Sequence, residues 1–188
     1  QDKMPLTIGI EQDIASPCLA SLLQQIGGEM PDTLVTLDPG CTGDIRLGCE
    51  SLRCEDELFM PLYDEPYVLA YPSAHPVSEL AELNLELLYG YPWVMYPAHD
   101  SHQRFLPFYG PSAGAPSANA GSFTLALDLV EGGFGLAIAP QSLVESRCDL
   151  AYRALPGYPL VRRLGICYAI QATENPAVRR LLDLLNQA

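Results

Sequence analysis

Apolar residues recur at helical spacing in three stretches of the chain, and short apolar runs lie between these stretches. Spacings of three and four residues place such side chains on one face of a helix, which then packs on other structure. The three stripes are Leu19, Leu22, Leu23 and Ile26; Phe123, Leu125, Ala126, Leu129 and Val130; and Val178, Leu181, Leu182 and Leu185. The pattern therefore predicts amphipathic helices that alternate with buried strands.

The amino-terminal part predicts a strand, a helix and a second strand. Leu6–Ile10 and Thr33–Leu37 are the strands, and Ser16 and Pro17 open the helix between them as a capping hydroxyl and a first-turn proline. A helix with one apolar face between two strands is typical of a parallel crossover unit. A third strand is predicted at Asp44–Leu47.

The connection to this third strand is short for a parallel crossover. Only residues 38–43 separate the two strands, whereas such a crossover needs about a dozen residues. Either the chain has no helix at this point, or a segment near Pro39–Thr42 is missing from it. We expect the missing segment.

The remaining elements predict a second lobe and a return to the first. Helices near 83–89, 101–109 and 122–131 alternate with strands at 93–96, 115–118 and 136–138, followed by a strand at 163–170 and a helix opened by Asn175-Pro176. Because the stripe of the last helix needs the first sheet, the chain must leave the first lobe and come back. We expect an α/β fold of two Rossmann-like lobes joined by a two-strand hinge, with lobe I at 1–72 plus 156–188 and lobe II at 73–155.

Two motifs resemble those of a known family. Residues 122–140, SFTLALDLVEGGFGLAIAP, contain a helix, a glycine turn, a buried strand and a proline, like a V-x-x-G-x-G-[IL]-x-x-x-P segment. Residues 59–77, FMPLYDEPYVLAYPSAHPV, resemble two strands around an acidic turn that end in His-Pro, where the chain crosses between lobes. Both resemble the effector-binding domain of LysR-type transcriptional regulators, and matching elements cover nearly the whole chain.

The resemblance implies a fold and a function. The fold is that of type 2 periplasmic-binding proteins, and the function is to sense a small-molecule effector in the cleft between the lobes. The domain is expected to form a homodimer or a higher homo-oligomer and to have no enzymatic activity. DNA would be bound only through an amino-terminal helix-turn-helix, which is absent from this chain. A solute-binding protein of a transporter, which shares the fold, is the alternative.

Composition and charge narrow these functions. Ten basic and 23 acidic residues among 188 give a formal net charge of −13, and so acidic a surface repels DNA phosphates. The chain has no membrane-length apolar run and no signal peptide, so we expect a cytoplasmic protein that does not contact a membrane. Six irregularly spaced cysteines favour reduced thiols over a disulfide framework, although oxidised cysteines would favour the exported alternative.

The cysteines suggest no metal or cofactor. Cys49 and Cys54 could form half of a metal site, but no second pair has zinc spacing, so a structural role is expected. Cys18 falls in the first turn of the first helix, where the helix dipole can make a thiol prone to oxidation. Some relatives sense peroxide through a cysteine pair in the second lobe. This chain has no cysteine between Cys54 and Cys148, so that pattern is absent.

In folds of this kind, ligands lie at the carboxyl ends of strands and at helix amino termini. The loops 11–16, 97–102 and 118–122 occupy such positions, and the resemblance places the corresponding loops at the effector cleft. The predicted ligand-binding residues are Glu11, Asp13, Ser16 and Thr42 of lobe I and Pro97, His99, Ser101, Asn119 and Ser122 of lobe II. They favour a small ligand with an amino or other donor group near Glu11 and Asp13, and an acidic end near the lobe II helix starts.

Alternative roles remain open for several of these residues. Glu11 and Asp13 stand where anion-sensing relatives often carry Ser or Thr, so they either select a cationic ligand or are solvated carboxylates near a helix start. Arg46 lies in a strand that should be buried, so it either pairs with Glu11 or Asp13 or extends its head to water. The run His99–His102 is either a helix start capped by Asp100 or Ser101, which we favour, or a set of effector contacts; a metal or hydrolytic site lacks an identifiable partner.

Overall fold

The computed structural model describes residues 2–187. The strands are β1 (Met4–Ile10), β2 (Thr33–Pro39), β3 (Ile45–Cys49), β4 (Glu57–Pro72), β5 (Val94–Met95), β6 (Ala118–Asn119), β7 (Ala137–Pro140), β8 (Leu150–Ala154) and β9 (Val161–Ala169). The helices are α1 (Ser16–Glu29), α2 (Leu85–Leu88), α3 (His102–Tyr109), α4 (Phe123–Glu131), α5 (Gln141–Glu145) and α6 (Pro176–Asn186).

The chain divides into two compact units. The first unit comprises Gln1–Asp64 and Arg162–Ala188, and the second comprises Glu65–Val161. The chain therefore passes from one unit to the other within β4 and returns at the start of β9. The predicted lobes, 1–72 with 156–188 and 73–155, differ from these units by several residues and stay a prediction.

In the first unit, a sheet carries the two long helices. Strand β1 pairs in parallel with β2 and with β3, and β3 pairs antiparallel with β9, which lies next to β4. Side chains of the strands, α1 and α6 form one apolar core that includes Leu6, Ile8 and Leu47. From the predicted stripes, it contains Leu22, Ile26, Val178, Leu181, Leu182 and Leu185, with Leu19 and Leu23 packed at its border. The two amphipathic helices and their attachment to the first sheet are confirmed.

The short connection between β2 and β3 needs no helix. Pro39, at the end of β2, is level with Ile10 of β1, while Ile45, at the start of β3, is level with Ile8. Strand β3 therefore begins close to the level at which β2 ends, and residues 40–44 only have to step over the end of β1. Gly9 makes this step possible, since a Cβ at that position would collide with the carbonyl oxygen of Thr42. With this register, residues 40–44 connect β2 to β3 without a further segment.

Strand β4 is continuous where two strands around an acidic turn were predicted. It runs for 16 residues, and Asp64 and Glu65 lie in its middle. Each carboxylate has a partner outside the strand: Asp64 Oδ1 accepts from Arg163 Nε at 3.1 Å, and Glu65 Oε2 accepts from the backbone N–H of Ser142 at 3.0 Å. Both acidic side chains therefore have hydrogen-bond partners while the backbone stays extended. The predicted acidic turn is absent.

The second unit contains two groups of strands. Strand β4 pairs antiparallel with β7 and β8, and β5 pairs in parallel with β6. Helix α4 begins after Ser122 and ends before Gly132-Gly133, as predicted. The predicted strand at 136–138 corresponds to β7, which begins at Ala137, and Phe134 before it is 48% exposed. Helix α5 and strand β8 were not predicted.

Candidate functional site

The first predicted ligand loop follows β1, and its carboxylate Glu11 is part of the fold. Glu11 is 8% exposed, and its Oε1 accepts from the backbone N–H of Cys49 at 3.3 Å. Its Oε2 lies 3.4 Å from Arg46 Nε. Gly48 makes room for it, since a Cβ there would collide with the Glu11 carboxylate. Burial raises the pKa of Glu11 above its usual range, despite the opposing Cys49 N–H and Arg46.

Arg46 is buried, and its main partner is Glu57, which sequence reasoning missed. Arg46 is 5% exposed, and its Nη1 and Nη2 each donate to one oxygen of Glu57 at 2.9 Å. This forked geometry is the strongest form of an arginine–carboxylate pair. The predicted pairing with Glu11 is present as a longer contact, and the alternative in which Arg46 extends its head to water is wrong.

The two acidic partners of Arg46 differ in their proton affinity. Burial raises the pKa of Glu57, but the N–H of Cys54, which donates to Oε1 at 2.8 Å, and the Arg46 guanidinium outweigh it and hold that pKa below its usual range. Hydrogen bonding to Glu57 likewise outweighs burial at Arg46 and raises the guanidinium pKa. The charged form of the Arg46–Glu57 pair is therefore favoured. We call Glu11, Arg46 and Glu57 the charged cluster.

The other residues predicted in the first lobe lie around the same end of β1. Asp13 has a left-handed backbone with φ of 69°, and its carbonyl oxygen accepts from Nη2 of the buried Arg162 at 2.9 Å. Ser16 is the exposed first residue of α1, but the cap position belongs to Ala15 and carries no side-chain bond, so the predicted capping role of Ser16 is wrong. Thr42 is exposed on the loop that crosses β1. Ser16 and Thr42 thus stay accessible, whereas Glu11 does not.

In the second unit, the start of α3 is organised by His99. The backbone N–H of Ser101 donates to His99 Nδ1 at 3.2 Å, and the Ser101 hydroxyl lies 2.6 Å from the same atom. Because Nδ1 accepts from the amide, the neutral ring carries its proton on Nε2. Ser101 occupies the cap position, as predicted, but its hydroxyl makes no capping bond, and His99 accepts the nearby amide instead.

This arrangement is not that of a hydrolytic triad. A serine, histidine and aspartate triad uses both ring nitrogens, one toward each partner. Here the Ser101 hydroxyl and Asp100 Oδ1, at 3.2 Å, both lie beside Nδ1 of His99. Ser101 is also 1% exposed, so substrate has no access to its hydroxyl. Within residues 2–187, no group of three or more His, Cys, Asp or Glu side chains could hold a metal ion.

Aromatic rings join the starts of α3 and α4. The His99 ring lies 4.9 Å from the rings of Tyr96 and Phe123, and Phe123 also contacts Tyr67 at 5.8 Å. Ser122, directly before Phe123, is 1% exposed and caps α4 by accepting from the N–H of Leu125 at 3.0 Å. We call Tyr67, Tyr96, His99 and Phe123 the aromatic cluster.

The predicted residues of the second lobe come together at one edge of the unit. Met95 is level with Asn119 in the parallel pair β5–β6, so the loops after both strands leave the sheet at the same end. Pro97 and Asn119 are exposed there, His99 is half-buried, and Ser101 and Ser122 are buried. Two exposed groups, one histidine and two helix starts therefore share the edge, which we call the β5–β6 edge.

Two further properties bear on function. Within residues 2–187, the six cysteines form no disulfide; Cys49 and Cys167 are buried, and burial raises the pKa of Cys167 to about 11. None of the helices within residues 2–187 is long and apolar enough to cross a membrane.

Comparison with known proteins assigns the family. A family model described as the LysR substrate binding domain matches residues 1–188, so the chain belongs to that family. Its fold is the periplasmic-binding-protein-like fold of LysR-type regulatory domains, and it is an effector-sensing domain of that class. The alternative of a transporter's solute-binding protein is not favoured.

Two curated relatives are probable hydrogen peroxide-inducible genes activators. The chain is 28% identical over 137 residues to a probable hydrogen peroxide-inducible genes activator of Mycobacterium avium and 27% identical to that of Mycobacterium leprae. Each match covers 68% of this chain and 43% of the relative, so the chain spans less than half the length of these curated relatives.

Solved structures show the same fold at low identity. The reduced OxyR regulatory domain of Pseudomonas aeruginosa has a TM-score of 0.76 and 20% identity over 99% of this chain and 98% of that one. The cofactor-binding domain of the Cbl transcriptional regulator has a TM-score of 0.79 and 16% identity over 97% of this chain and 88% of that one.

Proposed function

We propose that this domain binds a small-molecule effector and thereby changes DNA binding by a helix-turn-helix region of the same regulator. The whole-chain match to the LysR substrate binding domain carries this proposal. An effector acts only if it binds one arrangement of the regulator better than another, since equal affinity shifts no equilibrium. Because its net charge is −13, we expect the domain itself not to bind DNA.

The proposed effector site consists of the nine residues predicted from the sequence, now with distinct roles. The side chains of Asp13, Ser16 and Thr42 offer polar groups near the end of β1. At the β5–β6 edge, His99 and Asn119 offer polar side chains, and Pro97 offers its backbone carbonyl. Ser101 and Ser122 contribute through the helix starts that they open, where free N–H groups favour an acidic ligand group. Glu11 acts indirectly, because its carboxylate is bonded to Arg46 and Cys49. An effector with a donor group and an acidic group suits this set.

Thiol-pair peroxide sensing is not part of the proposal. A disulfide switch within the second unit needs two cysteines, and Cys148 is the sole cysteine in residues 65–161 of the sequence. The peroxide-response names of the relatives therefore transfer the regulator class and not the sensing chemistry. We further propose a cytoplasmic location and a homodimer or higher homo-oligomer, as the regulator class implies.

The proposal is tested by finding the effector and then removing a contact. Native mass spectrometry of protein purified from its host cells should show a bound small molecule, which is then titrated by calorimetry. Asp13→Ala should weaken binding by roughly 1–3 kcal/mol if a charged hydrogen bond is lost. Asp38→Ala, at an exposed position of β2, is the matched control. Equal affinity in both variants would remove Asp13 from the site. Salt-sensitive DNA binding by the isolated domain would contradict the proposal that a separate helix-turn-helix region binds DNA.

A further inference from the structure

A groove in the second unit lies apart from the predicted effector residues. Strands β4 and β8 form its floor with Pro66, Val68, Tyr152 and Ala154, and the following loop forms one wall with Leu155 and Pro159. Val68 is level with Ala154 and Ala70 with Tyr152, so the floor residues share one face of the sheet. The volume is about 300 Å³. Ala154 is exposed and Tyr152 is 39% exposed, so this apolar surface is open.

One corner of the groove is formed by Gln141 and Tyr152, and the exposed side chain of Glu145, which is outside the lining, lies next to it; we call these three side chains the acidic corner. Gln141 Nε2 donates to Glu145 Oε1 at 2.6 Å and to the Tyr152 hydroxyl oxygen at 3.2 Å. The Tyr152 hydroxyl donates to the same Glu145 oxygen at 3.0 Å. Three side chains from α5 and β8 are thus held together at the rim. A carboxylate beside the groove repels anions, and the Tyr152 hydroxyl and the Gln141 amide that it orients are the polar groups that a ligand meets.

Size and chemistry together define what the groove can hold. Ligand pockets are mostly apolar with a few placed polar groups, and their volumes begin at about 300 Å³. One aromatic ring fits this volume and suits the apolar floor, while a hydroxyl or amino group on the ring can donate to the acidic corner. We propose that the groove is a second ligand site for a small neutral or cationic aromatic molecule that carries a hydrogen-bond donor, as phenol does.

The groove is connected to the aromatic cluster by strand β4. The backbone N–H of Tyr67, between the floor residues Pro66 and Val68, donates to the carbonyl oxygen of Leu160 at 2.8 Å. On the other side of the strand, the Tyr67 ring packs against Phe105 of α3 at 4.9 Å and Phe123 of α4 at 5.8 Å. A ligand in the groove therefore lies against the strand whose Tyr67 ring packs against α3 and α4. The site adds a second input to the domain and does not depend on the proposed effector contacts.

The test is a titration of the ¹⁵N-labelled chain with phenol, monitored by NMR. We expect amide shifts at residues 141, 152–155, 157 and 158 and a dissociation constant on the order of 1 mM, as suits a ligand of so few atoms. Ala154→Trp, which places a ring over the floor, should weaken phenol binding at least 10-fold. Tyr158→Ala is the matched control, because Tyr158 lies in the same loop, is 90% exposed and is outside the lining; its affinity should equal that of the parent chain.

A second comparison tests the acidic corner without a bulky change. Benzoate, an anion of similar size, should bind at least 10-fold more weakly than phenol, and Glu145→Gln should reduce this preference to below about threefold. Absence of phenol shifts in the groove, or equal binding of phenol and benzoate, would overturn the proposal. If sedimentation shows a dimer that Ala154→Trp dissociates while phenol does not bind, the groove belongs to a second copy of the chain and the proposal is wrong.

Discussion

The charged cluster of the first unit and the aromatic cluster of the second unit both support predicted effector loops, but by different physics. In the first, the side chain expected to contact a ligand, Glu11, forms an ion pair with Arg46 and accepts from a backbone amide. In the second, ring packing holds His99 while Pro97 and Asn119 next to it stay exposed. Burial thus distinguishes the residues that support a site from the residues that can contact a ligand. Sequence position alone does not make this distinction.

The largest effect should come from the aromatic cluster. Phe123→Ala removes a ring that is 1% exposed and contacts Tyr67, Tyr96 and His99. We expect a loss of about 4 kcal/mol in the free energy of unfolding, because the mutation leaves a cavity among rigid rings. Urea unfolding measures this loss. Leu125→Ala, on the same helix but 53% exposed, is the control and should cost far less; similar losses would mean that the cluster is not a packed core.

The charged cluster should respond somewhat less strongly. Glu57→Gln leaves the buried guanidinium of Arg46 without its forked partner, and we expect a loss of about 3 kcal/mol because breaking one side of a buried ion pair is costly. Urea unfolding measures this loss of unfolding free energy, and Glu55→Gln, at an exposed neighbouring position, is the control. An effect within 0.5 kcal/mol of the control would show that Glu11 alone suffices as a partner.

A smaller effect is expected at the start of α4. Ser122→Ala removes the hydroxyl that accepts from the N–H of Leu125 and should cost about 1 kcal/mol, as loss of an N-cap does. Ser117→Ala, at an exposed position before β6, should change the unfolding free energy little. If the two variants unfold alike, the Ser122 cap does not stabilise the helix start.

The smallest effect is a pH dependence in the second unit. Burial lowers the pKa of His75, whose Nδ1 accepts from the N–H of Val77 at 3.0 Å. The unfolded chain therefore binds a proton more readily than the folded one below the ordinary histidine pKa of about 6.5, so stability falls as pH falls through that value. His75→Gln should remove this part of the pH dependence in thermal unfolding, and His102→Gln serves as the comparison. A slope that persists unchanged in His75→Gln would contradict the assignment.

Much of the fold followed from periodic apolar positions. The stripes of α1 and α6 and the strands β1 and β9 were predicted because each buries apolar side chains at regular spacing. The helix α4 was predicted with a partly wrong face, since Leu125 is 53% exposed and Leu127 is buried instead, and β2 is mostly exposed. Helix α5 and strand β8 were missed, since both are five residues long and carry too little periodicity. The β2–β3 connection was misjudged because register, which places Ile45 beside Ile8, cannot be read from spacing.

The candidate site was less accessible to sequence reasoning. That buried Arg46 needs a partner could be predicted from its apolar neighbours, but its main partner Glu57 is brought close only by the sheet. Arg162 was missed for the same reason, because its bond to Asp13 joins residues at opposite ends of the chain. Distant pairs of this kind depend on topology.

The central claim is that the domain binds an effector at its accessible loops. A crystal structure of protein purified from its host cells tests this claim most directly. We predict small-molecule density at the β5–β6 edge, within hydrogen-bond distance of His99 or Asn119, with the Glu11–Arg46 contact intact. Density that instead displaces Arg46 and binds the Glu11 carboxylate directly would contradict the account.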